Sequence, residues 1–504
     1  MVRVLRSLPA SLLLMGMAFG AQAADRFEPI RSYIRETLKE ESIPSLSVAV
    51  ARNGKIIWEE GFGWANLERQ VPATEHTMYS LASISKPITA TGLMTLVAAG
   101  KVDLDAPAND YLGASKLRAR VGDAQDATVR RVANHTAGLP LHYQFFYADE
   151  PFKRPSMDET LLRYGNLVTA PGEKYEYSNL GYGVLDYLIE RVSGQSYADF
   201  MRTRVFRPLG MIRTSVDIGP GLEPYAAMRY APDGTALPFY DFDHPGASAV
   251  FSSAHDLVRF GLFHLREKLP DQQQILTDAS LVEMHRQTAT EQDGSGYGLG
   301  FSIWEKDGYR LFGHSGAMGG ASTQMRLYPE QRLAIVVLSN ASSNLPAKVA
   351  NRIANVLLPG WTVPPPKTQP QPVPLVAPAA LLGTWVGSVS SYTKELPVQL
   401  TFQPDGDVHA KLADQLTTLV NNPRFEDGVF TGELTARIGT PDTEHYEYVV
   451  ALSLTLRDGV LNGGACALGV DLPRERNALT HWIELRREGV VLPGRPGSPT
   501  AGSL

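Results

Sequence analysis

An α+β domain followed by a small all-β domain is the architecture this sequence predicts, on three observations. Hairpin-forming segments lie near both ends of residues 24–360, with helical patterns between them. That arrangement closes one antiparallel sheet from N- and C-terminal strands, flanked by helices and interrupted by a helical subdomain; a parallel sheet would instead alternate strands with helices. A proline-dense stretch follows at 361–380, and over 381–488 the helical periodicity gives way to the short strands of a sandwich or small barrel. The chain, at 504 residues, is also longer than one hydrophobic core usually organises.

From the start, Arg3 and Arg6 precede an apolar run from Leu8 to Phe19, and Ala21-Gln22-Ala23 offers the small residues of a cleavage site. This is the order of a secretory signal over residues 1–23, with an uncleaved anchor as the competing reading. Cleavage would leave a periplasmic or secreted chain without a membrane span, since no later stretch approaches about 18 uninterrupted apolar residues. Phe27, Ile30, Ile34 and Leu38 then recur at helical spacing. Leu46–Val50 and Lys55–Trp58 flank Asn53-Gly54, a pair that accepts positive φ and so favours a tight hairpin. Helical patterns follow at about 85–99, 179–193 and 254–265. Tyr309–Phe312 reads as a short strand, and Met325–Tyr328 pairs with Leu333–Leu338 across Pro329-Glu330-Gln331-Arg332.

Pro364-Pro365-Pro366, Pro370, Pro372, Pro374 and Pro378 favour a stiff, extended linker over residues 361–380. Strands are expected at Gly383–Gly387, Val398–Phe402, Tyr446–Leu456 and His481–Leu485, with turns at Asp405-Gly406 and Asp458-Gly459. Residues 489–504 read as a disordered tail.

Composition excludes several classes. Hydrophobic residues at 43% and charged residues at 20% are those of a globular protein. A net charge of −6 lacks the basic footprint of a nucleic-acid binder. Cys466 is the only cysteine, which rules out an internal disulfide framework and a thiolate zinc site. The 11 histidines form no H-E-x-x-H or other tight ligand pair in sequence, so neither a metal nor a cofactor is expected.

Three short motifs carry chemistry. Ser83-Ile84-Ser85-Lys86 stands at the head of a helix, which places Lys86 one turn along on the face of Ser83. A serine hydroxyl needs a nearby base to become a nucleophile, and a helix start supplies N–H donors for an oxyanion. Taken alone, the same residues also read as a capping serine and a solvated lysine. Tyr177-Ser178-Asn179 follows Pro171-Gly172 at a turn, with Asn179 a candidate cap of the next helix. A tyrosine beside a lysine ammonium would ionise below its usual pKa and serve as base, then acid. Asn179 offers an amide to orient substrate or lysine, and Tyr175 is the local rival of Tyr177. Gly313-His314-Ser315-Gly316 comes third. Gly316 lets the backbone approach a ligand, and the Ala317 N–H would be a second oxyanion donor beside that of Ser83.

In their order, Ser83–Lys86, Tyr177–Asn179 and His314–Gly316, these motifs resemble the family of class C serine β-lactamases, secreted DD-carboxypeptidases, D-aminopeptidases and related esterases. Asn134–Pro140, Arg207–Met211 and Tyr297–Gly300 resemble the family as well, and the likeness covers about residues 27–358. It implies a β-lactamase/transpeptidase-like fold and an acyl-enzyme on Ser83, with Lys86 and Tyr177 moving protons and Asn179, His314, Gly316 and Ala317 holding substrate. The expected substrate is a small molecule or peptide, cell-wall fragments among them. Where typical class C enzymes carry lysine this chain has His314, which ranks esterase or D-amino-acid peptidase activity above β-lactamase or DD-carboxypeptidase activity.

Two other readings compete. Gly313-His314-Ser315-Gly316 looks like an α/β-hydrolase elbow with Ser315 as nucleophile, but the G-x-S-x-G pattern needs glycine where Ala317 stands. A non-catalytic ectodomain that binds peptidoglycan fragments would keep the fold without the reaction.

Overall fold

The computed structural model describes residues 25–267, 269–364, 376–470, 474 and 477–489. The signal over 1–23, most of the proline linker and nearly all of the tail lie outside the described residues. Among the described residues, no helix is long and apolar enough to cross a membrane.

The first domain is built on one antiparallel sheet. Helix α1 (Glu28–Glu40) buries Ile30, Ile34 and Thr37 along one face, and Phe27 just before it stacks on Trp58. Strands β1 (Ser45–Arg52), β2 (Lys55–Asn66) and β3 (Val71–Pro72) follow. Helices α2 (Ser85–Ala98), α3 (Asn179–Ser193), α4 (Pro245–Ser248) and α5 (Ala254–His264) belong to the long excursion between β3 and the next sheet strand. The sheet resumes with β4 (Ala289–Thr290), β5 (Gly296–Tyr297), β6 (Ser302–Lys306), β7 (Tyr309–Met318), β8 (Ala321–Tyr328) and β9 (Leu333–Ser339), and α6 (Leu345–Leu357) ends the domain. The strand order is β4-β5-β6-β7-β8-β9-β1-β2-β3, so the N-terminal hairpin is added to the C-terminal strands, as the two hairpin signals predict.

Alternation explains why the central strands read as continuous apolar runs. In β1, Leu46, Val48 and Val50 face α1 and α6, while Ala49 and Ala51 face the helices of the excursion. In β9, Leu333, Ile335 and Val337 share the first face, and Ala334, Val336 and Leu338 the second. Both faces of the sheet are therefore covered, and no polar period is left to see.

One strand differs from expectation. β7 does not stop at Phe312 but runs through the third motif to Met318, because β8 pairs with it as far as Met318↔Ala321. Glycine, histidine and serine advertise no strand locally; the pairing partner imposes it.

The second domain is a nearly closed antiparallel barrel of nine strands, β10 (Gly383–Ser390), β11 (Glu395–Phe402), β12 (Val408–Leu412), β13 (Thr418–Leu419), β14 (Asn421–Glu426), β15 (Val429–Leu434), β16 (Tyr448–Arg457), β17 (Val460–Gly469) and β18 (Ala478–Arg487). Their order is β13-β12-β11-β10-β18-β17-β16-β15-β14, and the two outermost strands are joined in sequence by Val420 alone. Trp385, Leu400, Phe430, Leu454, Leu461 and Ile483 fill a core separate from that of the first domain.

The barrel docks on the first domain through backbone as well as side chains. Tyr143 and Ala478 exchange two N–H···O bonds of 2.9 Å, and Asn477 Oδ1 accepts from the Phe145 N–H at 2.9 Å. Thr480 Oγ1 donates to the Leu141 carbonyl. The Tyr164 hydroxyl donates to Asp442 at 2.6 Å, and Arg457 pairs with Glu173 at 2.6 Å.

Candidate active site

Ser83 sits in a single 3₁₀ turn, Ala82–Ile84, that leads directly into α2. Ala82 adopts a left-handed φ of 49°, a strained conformation for a residue with a Cβ, and turns the chain so that Ser83 is half-buried while its neighbours are fully buried. Lys86 is the second residue of α2 rather than one turn inside it, and its side chain is wholly buried.

The structure brings the first two motifs into direct contact. Lys86 Nζ lies 3.0 Å from Ser83 Oγ, 2.8 Å from Asn179 Oδ1 and 3.2 Å from the Ala247 carbonyl oxygen. The Tyr177 hydroxyl donates to Ser83 Oγ at 2.9 Å. The lysine also lies 4.7 Å from the Tyr177 ring centroid and 5.6 Å from that of Tyr182. Ala247 in α4 is a contact that sequence reasoning missed, because a backbone carbonyl leaves no mark in a motif. Ser178, not Asn179, caps α3: its Oγ accepts from the Gly181 N–H at 3.2 Å and donates to the Pro140 carbonyl at 2.8 Å. Freed from capping, the Asn179 amide is available to the lysine.

Electrostatics corrects one expectation. Burial pushes the Tyr177 hydroxyl well above its usual range, and only the Ser83 contact opposes it, so Tyr177 keeps its proton. Burial drives Lys86 well below the ordinary lysine value. Asn179 Oδ1 and the Ala247 oxygen are obligate acceptors and use two N–H groups of the amine. The third contact of Nζ is to Ser83 Oγ: an ammonium would donate there, and a neutral amine would turn its lone pair to the serine hydroxyl.

His135, from the Asn134–Pro140 stretch, holds the tyrosine segment. Its ring packs 4.5 Å from that of Tyr177, its Nδ1 accepts from the Ser178 N–H at 3.1 Å, and its carbonyl accepts from the Glu176 N–H at 2.8 Å. Tyr175 does not reach Ser83; its ring lies 5.5 Å from those of His135 and Tyr297, and among the described residues its hydroxyl has no hydrogen-bond partner.

The third motif reaches the site as the edge of β7. A Cβ at Gly316 would stand 2.1 Å from the Leu81 carbonyl oxygen, so glycine is what lets β7 lie against the Ser83 turn. Thr323 on β8 donates to the same carbonyl at 2.9 Å. Met318↔Ala321 closes a two-residue turn, so by alternation the backbone of Ala317 points away from β8. β6 covers that edge only as far as Gly313.

His314 faces inward and Ser315 outward, as neighbours on a strand must. The His314 Nδ1–H donates to the Ser315 carbonyl at 2.6 Å, which leaves Nε2 to accept from the Tyr297 hydroxyl at 3.3 Å. Burial first, and Lys86 second, push its pKa down to about 3, so the ring is neutral. Ser315 is exposed in mid-strand, not on a strand-to-helix turn, so the elbow geometry is absent.

Beside Tyr175 a cleft of about 630 Å³ opens between the domains, lined by Lys174, Glu176 and Thr290 on one side and by Asp427, Val429 and Ser453 of the barrel on the other.

The chain is similar to several known proteins. The chain is 26% identical over 334 residues to protein flp of Staphylococcus aureus (strain N315), an alignment that spans 65% of this chain and 66% of flp. It is 28% identical over 387 residues to penicillin-binding protein 4 of Amycolatopsis lactamdurans, covering 72% of this chain and 96% of that protein. The octameric penicillin-binding protein homologue from Pyrococcus abyssi superposes with a TM-score of 0.58 at 22% identity, over 89% of this chain and 99% of that one, so the likeness in fold extends into the barrel. The family model described as Beta-lactamase matches residues 30–358, and the chain belongs to the beta-lactamase family of serine hydrolases.

Proposed function

We propose that this protein hydrolyses an ester or amide through an acyl-enzyme on Ser83, and that it acts as an esterase or D-amino-acid peptidase. The observation that carries the reading is the placement of Ser83 Oγ between Lys86 Nζ at 3.0 Å and the Tyr177 hydroxyl at 2.9 Å. Neutral Lys86 takes the Ser83 proton as Oγ bonds to the acyl carbon. The Ser83 and Ala317 N–H groups receive the oxyanion. Tyr177, still protonated, passes its proton to the leaving group and is reprotonated from Lys86. Water then cleaves the acyl-enzyme by the reverse relay.

Substrate preference follows from His314. A neutral ring cannot offer the fixed positive charge that a lysine gives to a substrate carboxylate. Uncharged esters and D-amino-acid amides therefore rank above β-lactams and peptides ending in D-alanine. The barrel serves as an accessory domain that walls the cleft, and the leading segment directs the chain to the periplasm or outside the cell.

The test is labelling by a fluorophosphonate and by penicillin, followed by peptide mapping. Label on Ser83 that disappears in Ser83→Ala supports the proposal. Label on Ser315 would establish the elbow, and no label with no turnover would establish a non-catalytic binder. A panel of nitrophenyl esters, D-amino-acid anilides, nitrocefin and D-Ala-D-Ala peptides then ranks substrates. A kcat/KM for nitrocefin well above the others would overturn the ranking.

A further inference from the structure

Behind Lys86, three side chains from distant parts of the sequence meet in the interior. His142, Asp243 and His244 are all buried, and one donor atom from each lies within 4.8 Å of the others. Asp243 Oδ2 stands 3.4 Å from His142 Nε2 and 3.2 Å from His244 Nε2. Neither contact is aligned as a hydrogen bond; among the described residues the four ring nitrogens have no aligned partner, and the Asp243 carboxylate is held only by the long His142 contact and the Gln144 backbone. Buried polar atoms are almost always satisfied, so four ring nitrogens without an aligned partner around one carboxylate ask for a ligand that satisfies them together.

The donor set names the ligand class. Two imidazoles and a carboxylate suit a divalent first-row ion, zinc foremost. In tetrahedral coordination, with bonds of about 2.0–2.1 Å, neighbouring donor atoms stand about 3.3–3.4 Å apart. The two separations from Asp243 fall close to that value, and the two imidazoles lie within 4.8 Å of each other. We propose that His142, Asp243 and His244 bind one zinc-class divalent ion, with water in the remaining position, and that the site is structural. An Asp-His pair and a second histidine about a hundred residues before it give no spacing motif, which is why the sequence predicts no metal.

The location gives such an ion a positioning role. His142 lies between Leu141 and Tyr143, both bonded to the barrel, and two residues after Pro140, whose carbonyl accepts from Ser178. Asp243 and His244 lead into α4, whose Ala247 carbonyl accepts from Lys86. Gly183 of α3 makes room for the imidazole: a Cβ there would stand 2.4 Å from His244 Nδ1. One ion would thus join the barrel-facing segment to the carbonyl that orients the lysine.

The test uses the full chain. As purified, it should hold about one zinc per chain by elemental analysis, and His142→Asn and His244→Asn should each lower that at least tenfold. Stripping with dipicolinate should lower Tm, and zinc alone should restore it. Either variant can fail to fold, so the wild type gives a second reading: cobalt loaded into the stripped chain should show the visible bands of a four-coordinate site. Three results would overturn the proposal. One is a wild type that retains no zinc and responds to neither ion. Another is a folded variant with undiminished binding. The third is zinc lost with His76→Ala instead, which would assign it to the surface pair His76 and His255, whose ring centroids are 4.8 Å apart.

Discussion

Adding one methyl group at Gly316 should separate catalysis from folding in this protein. The new Cβ would stand 2.1 Å from the Leu81 carbonyl oxygen and 2.4 Å from Thr323 Oγ1. Thr323 can rotate, but Leu81 O is backbone and lies two residues before Ser83. An ordinary carbon–oxygen contact is about 3.3–3.6 Å, so β7 and the serine turn must part by about 1.2 Å. A misplacement of about 1 Å typically costs on the order of 10²-fold, and loss of one oxyanion donor on the order of 10²–10³-fold. Gly316→Ala should therefore lower the acylation rate on the order of 10²–10³-fold while overpacking costs about 1–3 kcal/mol of stability. Burst kinetics with a nitrophenyl ester measure the first quantity and thermal denaturation the second. Gly308→Ala is the control: Gly308 sits in a hairpin turn at φ +79° with nothing within 4 Å, so it should lose some stability and keep its rate. A Gly316→Ala protein that acylates at the wild-type rate would refute the idea that β7 supplies the site's edge.

Lys86→Ala and Tyr177→Phe should each lower turnover on the order of 10²–10⁴-fold, and together by less than the product, because they act on one proton path; strict multiplicativity would refute the shared relay. Because burial depresses Lys86, its basic form is populated from a pH well below the ordinary lysine value of 10.5, and kcat/KM should rise through that lower pKa; a limb at 10.5 would show a solvated lysine. His264 and His314 are neutral in the fold, with pKa values near 3, and titrate at 6.5 when unfolded. The unfolded chain therefore binds more protons between these values, and stability that is full above pH 6.5 should be lost as pH falls, by about 1.4 kcal/mol per pH unit for each group. A thermal midpoint flat between pH 6.5 and 4 would contradict this. Asp442→Ala removes the acceptor of Tyr164 at 2.6 Å and Tyr392 at 2.8 Å, and should make the barrel protease-sensitive while ester turnover stays within a few-fold. Loss of activity in that folded variant would show that the barrel helps build the site.

The sequence carried the parts of the fold that local chemistry dictates. Asn53-Gly54 and Pro329–Arg332 marked their hairpins, and the helices expected at about 179–193 and 254–265 are found at 179–193 and 254–264. In the barrel, four strands and two Asp-Gly turns were legible. β12 to β15 and β17 were not: strands as short as Thr418–Leu419 hold too few residues for alternation to show, and β17, though ten residues long, is rich in glycine and alanine that carry little strand signal. At the candidate site, Ser83, Lys86, Tyr177 and Asn179 were legible as motifs because each makes its contact through its own side chain. Ala247 contributes a carbonyl and His135 a clamp, and such roles exist only once the chain is folded. The direction of the Tyr177 shift was misjudged because burial, a property of the whole fold, outweighs the neighbour that sequence spacing suggests.

The joining of β1 to β9 has a consequence in time. The Ser339 hydroxyl donates to the Ser45 carbonyl, 294 positions away. A ribosome adding about 5–20 residues per second needs roughly 15–60 s to cover that distance. Through that interval the N-terminal hairpin has an unpaired edge, and the apolar faces of β1 lack both β9 and α6. Contacts of such sequence separation also slow folding intrinsically. The nascent chain therefore depends on whatever shields Leu46, Val48 and Val50 until the last strand of the sheet is made, and a substitution that slows β9 pairing should reduce yield before it reduces the stability of the finished protein.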